Sequence, residues 1–198
     1  MACGRVVGRL RSPLFFALPT TRRCLIPQSQ TIDSDMASFH VIFWRHAEAE
    51  DAADSPHGGT DDLRRALTRQ GRRDAMRVAA WIKSQLPKPW TVITSPALRA
   101  KQTAQHLSDY PVEDGRLLSQ GTADELLGVV SEFPREQGAL VLVGHQPTLG
   151  RAALRWITGC DQDLSIRKSG LIWAVERSRD LGAQRTLRAC ISADLLRD

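Results

Sequence analysis

A chain of 198 residues, 42% hydrophobic and 25% charged, has the length and balance of one soluble globular domain with a single core. Its formal net charge is +5, but residues 1–35 carry five arginines (Arg5, Arg9, Arg11, Arg22, Arg23) against Asp33 and Asp35, so the remainder holds a surplus of only two. No basic stripe interleaved with aromatics follows, which argues against a nucleic-acid partner, and no apolar run approaches the roughly 20 residues that span a bilayer.

The first 35 residues contain arginine, Ser/Thr and apolar residues and no acid before Asp33. That composition is transit-like. Met36, just ahead of "ASFHVIFWRHA", offers a second explanation, a leader before the natural start. On either explanation 1–35 is expected to be poorly ordered, leaving 36–198 as one domain. Cytoplasmic localisation is expected, with a mitochondrial or other organellar alternative if the leader is a genuine transit peptide. Cys3, Cys24, Cys160 and Cys190 form no C-x-x-C pair and read as free thiols in a reducing compartment.

"FHVIFW" (39–44) predicts a strand that stops abruptly at Arg45-His46. A polar loop rich in acids and turn formers follows. Thr68 is placed to cap a helix whose apolar stripe is Ala75, Val78, Ala79, Ile82 and Leu86, ended by "PKP". "WTVIT" (90–94) predicts a second strand broken at Ser95-Pro96. The next helix has the stripe Ala97, Ala100, Ala104 and Leu107. Thr122 and Glu125 have capping-box spacing ahead of an apolar run. "ALVLVGH" (139–145) has the unbroken apolar character of a buried parallel strand, and Pro147 suits the first turn of the helix behind it. "GLIWAVE" and "TLRACIS" predict two closing strands. Alternating strands and helices predict an α/β fold of three layers, a mostly parallel central sheet with helices on both faces.

Three of these strands end in one way, an apolar run stopping at a polar cluster. In open parallel sheets, ligands bind beyond the carboxyl ends of the strands. If the three strands are neighbours, Arg45, His46, Arg99 and His145 share one crevice, with Arg99 in the first turn of its helix, where free N–H groups favour an anion. Guanidinium groups match phosphate oxygens two at a time, and a neutral histidine nitrogen can attack phosphorus to form a covalent phosphoenzyme.

At "RHAEAE", "RRALTRQGRRDA", "SPALRAKQTA" and "VGHQPTL" the chain resembles the histidine phosphatase superfamily, and most of all its short, SixA-type phosphohistidine phosphatases. The resemblance runs from about residue 40 to 150 and implies the phosphoglycerate mutase-like fold. It implies that His46 is the phosphorylated nucleophile, that Arg45, Arg99 and His145 hold the phosphoryl oxygens, and that no metal or organic cofactor takes part. Where many members of the superfamily read Arg-His-Gly, this chain has Ala47.

The proton donor is less legible. Larger relatives carry an acid in the region that here reads "EDGRLLSQGTADELL", with Ser119 and Gln120 in place of it. Glu125 is nearby but also fits the capping box, and Glu48 lies close to His46. An imidazole leaving group can depart already protonated and so needs less help than an alkoxide. His40, His57 and His106 carry no spacing signal, Trp44 reads as packing, and Asp51, Asp61 and Asp62 read as a solvated loop. Zinc is disfavoured by the arginines. With no long insertion to build a lid, the expected substrate is phosphohistidine on a protein, such as a histidine phosphotransfer domain. A small phosphomonoester or sugar phosphate is the rival, and a non-catalytic phosphoryl-binding module a third possibility. No membrane partner is expected.

Overall fold

The computed structural model of the protein describes Met1 and residues 38–51, 62–179 and 182–196. The chain divides into Met1–Ile32 and Asp33–Asp198, and every strand and helix named belongs to the second unit. The leader expected over 1–35 lies outside the described residues apart from Met1. So do Cys3, Cys24, His57 and Asp61.

The strands are β1 (Phe39–Arg45), β2 (Trp90–Thr94), β3 (Val112–Glu113), β4 (Ala139–Gly144), β5 (Leu171–Arg179) and β6 (Gly182–Ile191). The helices are α1 (Arg69–Gln85), α2 (Leu98–Ala104), α3 (Ala123–Glu132) and α4 (Thr148–Thr158). One six-stranded sheet has the order β3-β2-β4-β1-β5-β6. The pairings β3–β2, β2–β4 and β4–β1 are parallel, and β5 and β6 close the other edge antiparallel.

β1 and β4 explain the layering. Side chains alternate across a strand, so a run buried on both faces must be apolar throughout. Ile42, Trp44, Val141 and Val143 pack with Ala75, Val78, Ile82 and Ala100 of α1 and α2. Val41, Phe43, Leu140 and Leu142 face the other way, against Leu126, Val130, Leu149, Ala153 and Trp156 of α3 and α4. The three-layer expectation is thus met, and Trp44 is fully buried packing. Thr68 does cap α1, accepting from the N–H of Gly71, and Thr122 and Glu125 do close a capping box at α3.

Two details differ from the sequence reading. α2 ends at Ala104, so Leu107 is buried beyond the helix rather than on its stripe. β3 is two exposed residues, too short to show an apolar period. Among the described residues no helix is long and apolar enough to cross a membrane.

One glycine couples this scaffold to the strand ends. A Cβ on Gly150 of α4 would collide with the carbonyl oxygen of Leu164, in the segment leading to β5. Backbone cannot yield as a side-chain tip can, so Gly150→Ala is expected to cost roughly 1–3 kcal/mol. Thermal unfolding should show its midpoint lowered by several degrees; an unchanged midpoint would refute the close approach.

Candidate active site

β2, β4 and β1 are adjacent and parallel, so their carboxyl ends meet. Arg45 pairs with Gly144 in register, the His46 N–H donates to the Gly144 carbonyl at 3.1 Å, and the Ser95 N–H donates to Val143 at 3.0 Å. The segment before β5 holds the end of β1 from its other side. The Arg45 N–H donates to Gly170 O and its Nη1 to Ile166 O, while the Ser169 N–H donates to the carbonyl of His46. Ser169 takes φ 57°, a left-handed conformation uncommon for serine, and the Trp44 indole donates to its carbonyl. A third tie reaches α2: the Ala47 N–H donates to Thr103 Oγ1, whose hydroxyl donates to Arg99 O. The chain therefore links the nucleophile candidate to the helix that carries Arg99.

These ties bring the four expected residues to one cavity of about 400 Å³, lined by Arg45, His46, Arg99 and His145 together with Asp62, Arg65 and Lys168. The two imidazoles lie 4.9 Å apart between ring centroids. His46 Nδ1 is 2.7 Å from the Ala47 carbonyl. A carbonyl can only accept, so Nδ1 carries the proton and Nε2 keeps its lone pair. His145 Nδ1 faces Arg99 Nη2 at 3.4 Å and Nε2 faces Ser95 Oγ at 2.9 Å. Because guanidinium can only donate, Nδ1 is the acceptor and Nε2–H donates to Ser95.

Both rings are neutral at ordinary pH. Burial is the main cause holding His46 down to about 3; the Ala47 hydrogen bond opposes it, and His145, Arg99 and Arg45 add to it. Burial and then Arg99 hold His145 at about 4, with Asp62 pulling the other way. Among the described residues, Arg45 and Arg99 each keep a buried Nε–H with no protein partner. That is unfilled donor capacity beside a site of concentrated positive charge.

Neither candidate proton donor lines this cavity. Glu48 accepts from Thr68 Oγ1 at 3.2 Å and from Lys168 Nζ at 3.1 Å, and lines an adjoining cleft with Asp74, Arg167 and Asp194. Glu125 is exposed, its carboxylate accepting from the N–H and hydroxyl of Thr122. Ser119 lines the cavity and Gln120 does not. His40 accepts from the Trp173 indole in a packing contact, and His106 lies away from the cavity.

Asp62 corrects the sequence reading. It is no mere solvated loop acid: its Oδ2 pairs with Arg99 Nη2 at 2.8 Å, and its Oδ1 accepts from Arg65 at 2.6 and 2.8 Å. Burial raises its pKa, but the hydrogen bonds from Arg65 and Arg99 outweigh that and hold it below the usual value. Asp51 also lines the cavity. Asp62 reads as a solvated acid, and Arg65 and Lys168 carry no site signal of their own, because their distances from Arg45 along the chain follow no period; the fold brings all three to the cavity. Among the described residues no group of His, Cys, Asp and Glu is arranged to hold a metal ion. Cys160 and Cys190 are unpaired and exposed.

Residues 41–119 match the family model of the histidine phosphatase superfamily (branch 1). An uncharacterised protein of Picosynechococcus is 33% identical over 139 residues, covering 67% of this chain and 82% of its own. Among solved structures, the protein histidine phosphatase SixA complexed with tungstate is similar at a TM-score of 0.64 and 21% identity, over 81% of this chain and 99% of that one. A mycobacterial glucosyl-3-phosphoglycerate phosphatase is similar at a TM-score of 0.55 and 15% identity, over 77% and 98%. At these identities the two structures share the fold.

The depressed basicity of both rings can be measured. On titration followed by NMR, His46 and His145 are expected to stay neutral from pH 8 to 5, protonating only near 3 and 4. The unfolded chain protonates these groups first, near 6.5, so they contribute stability that is complete above that pH and declines as pH falls. A midpoint near 6.5 for either ring would contradict the assignment.

Proposed function

This chain belongs to the histidine phosphatase superfamily, and on that basis we propose that it is a phosphatase working through a covalent phosphohistidine at His46. The observation that carries the reading is the His46 Nδ1–H bond to Ala47, which leaves an unprotonated Nε2 beside two arginines. In the first step the Nε2 lone pair attacks phosphorus, an Nε2–P bond forms, and the bond to the leaving group breaks with its electron pair. In the second, water attacks phosphorus, the Nε2–P bond breaks with its electron pair returning to Nε2, and phosphate departs carrying the water oxygen, the two water protons going to phosphate and solvent while Nδ1 keeps its own. Arg45, Arg99 and His145 hold the phosphoryl oxygens, with Arg65 and Lys168 at the rim. His145 is neutral in the empty pocket, and an arriving dianion favours its protonated form, which turns Nδ1 from acceptor to donor.

Protein phosphohistidine is the substrate class we favour. Among the described residues, Glu48 and Glu125 lie outside the cavity, and the carboxylates lining it are the exposed Asp51 and an Asp62 kept ionised by two arginines. An ionised carboxylate is a poor acid, whereas a phosphorylated imidazole leaves with its own proton. The open, polar cavity suits a side chain presented by a phosphorylated partner, and the exposed thiols Cys160 and Cys190 fit a reducing compartment such as the cytoplasm. A small phosphomonoester or sugar phosphate is the second reading, since the fold is shared with a glucosyl-3-phosphoglycerate phosphatase.

Turnover of a phosphohistidine-bearing protein and of simple phosphomonoesters, compared between the natural chain and His46→Ala, tests both levels. The variant is expected to lose kcat/KM by at least about a thousandfold. Activity surviving in it would overturn the mechanism, and monoesters turned over far faster than phosphohistidine would overturn the substrate class.

A further inference from the structure

We propose that Asp62 is a positioning residue, which grips one face of the Arg99 guanidinium and the neighbouring Arg65 so that both cations stand ready around the phosphoryl site. The proposal rests on the phosphate reading of the cavity and adds the group that sets two of its cations in place.

Arg99 is 3% exposed. A guanidinium buried that deeply needs a counter-charge, because desolvation without one drives the side chain towards water. Among the described residues that counter-charge is Asp62. Its carboxylate accepts from Nη2 at 2.8 Å, and its main-chain carbonyl accepts from Nη1 at 2.6 Å. One residue therefore occupies the end-on face of the guanidinium, the Nη1/Nη2 pair. The side-on face is left open on its Nε side: among the described residues Nε–H has no partner, and Nη2, besides its bond to Asp62, makes only the long contact to His145. Two-point recognition of a phosphoryl group works through either face. Asp62 thus selects which one is offered, and offers the one on the His145 side.

The other carboxylate oxygen holds Arg65 by its side-on face, accepting from Nε and Nη2, while Arg65 Nη1 donates to the Glu50 carbonyl. Arginine loses much rotamer freedom when fixed, so ordering both side chains in the empty protein removes that cost from substrate binding. A carboxylate also repels phosphate, and the two effects compete. The Asp62 side chain is 52% exposed, so water and salt screen its longer-range field, whereas its contacts with the guanidiniums are direct. Positioning is the larger effect.

The test is calorimetric titration of the full chain with inorganic phosphate, alongside kcat and KM on a phosphohistidine substrate. Asp62→Asn and Asp62→Ala are expected to weaken phosphate binding about tenfold. Asp62→Glu should recover most of the loss, KM should rise more than kcat falls, and adding Asp62→Asn to Arg99→Gln should cost less than Asp62→Asn alone, the remainder reflecting the hold of Asp62 on Arg65. Phosphate bound as well or better by Asp62→Asn, while Arg99→Gln binds weakly, overturns the positioning role alone. Phosphate ignored by the natural chain, or bound equally well by Arg99→Gln, overturns the phosphate reading beneath it.

Discussion

The parallel pairing of β4 with β1 on one side and β2 on the other is the constraint on which the site depends. Its register sets Arg45 opposite Gly144 and Thr94 opposite Val143, so three chains stop at one level and turn outward together. Nothing else delivers Arg45, His46, Arg99 and His145 to one cavity from positions spread over a hundred residues. The unbroken burial of β4, with every residue inside, is what makes this register strict. A slip by one residue would turn Leu140 and Leu142 out of one core and Val141 and Val143 out of the other.

On that frame the chemistry follows from two opposed electrical demands. On the proposed function, the cavity must gather cations to receive phosphate, yet its histidine must stay neutral to attack. Burial and neighbouring arginines satisfy both, since each disfavours protonation of His46 while the arginines keep their own charge. The Ala47 carbonyl holds the proton on Nδ1 and so leaves Nε2 as the nitrogen with the free lone pair. Asp62 tempers the mutual repulsion of Arg65 and Arg99, and the turn at Ser169 fixes the backbone of β1 where its pairing ends.

Much of this was legible in the sequence, for physical reasons. A strand buried on both faces shows as an apolar run, and its stop at a charged pair shows as clearly, so β1, β2 and β4 and the four residues beyond them could be read directly. Thr68 and the Thr122–Glu125 box were legible because capping depends on neighbours in sequence. Asp62 was not, because its partner Arg99 is 37 residues away and nothing local separates a paired acid from a solvated one. Lys168 and Ser169 reach the site only because β5 runs antiparallel beside β1, which brings the preceding turn over the end of β1. The proton donor was ambiguous for a related reason. Glu48 and Glu125 have the right chemistry and sequence neighbourhood, but one is turned to Lys168 and the other caps α3.

The account stands or falls on which nitrogen of His46 carries the phosphoryl group. Rapid quenching of the enzyme with labelled phosphohistidine substrate, followed by NMR identification of the phosphohistidine isomer in the peptide containing His46, measures it directly. The account predicts phosphorus on Nε2 of His46, with Nδ1 still protonated. Phosphorus on Nδ1, or a covalent adduct on any other residue, would contradict it.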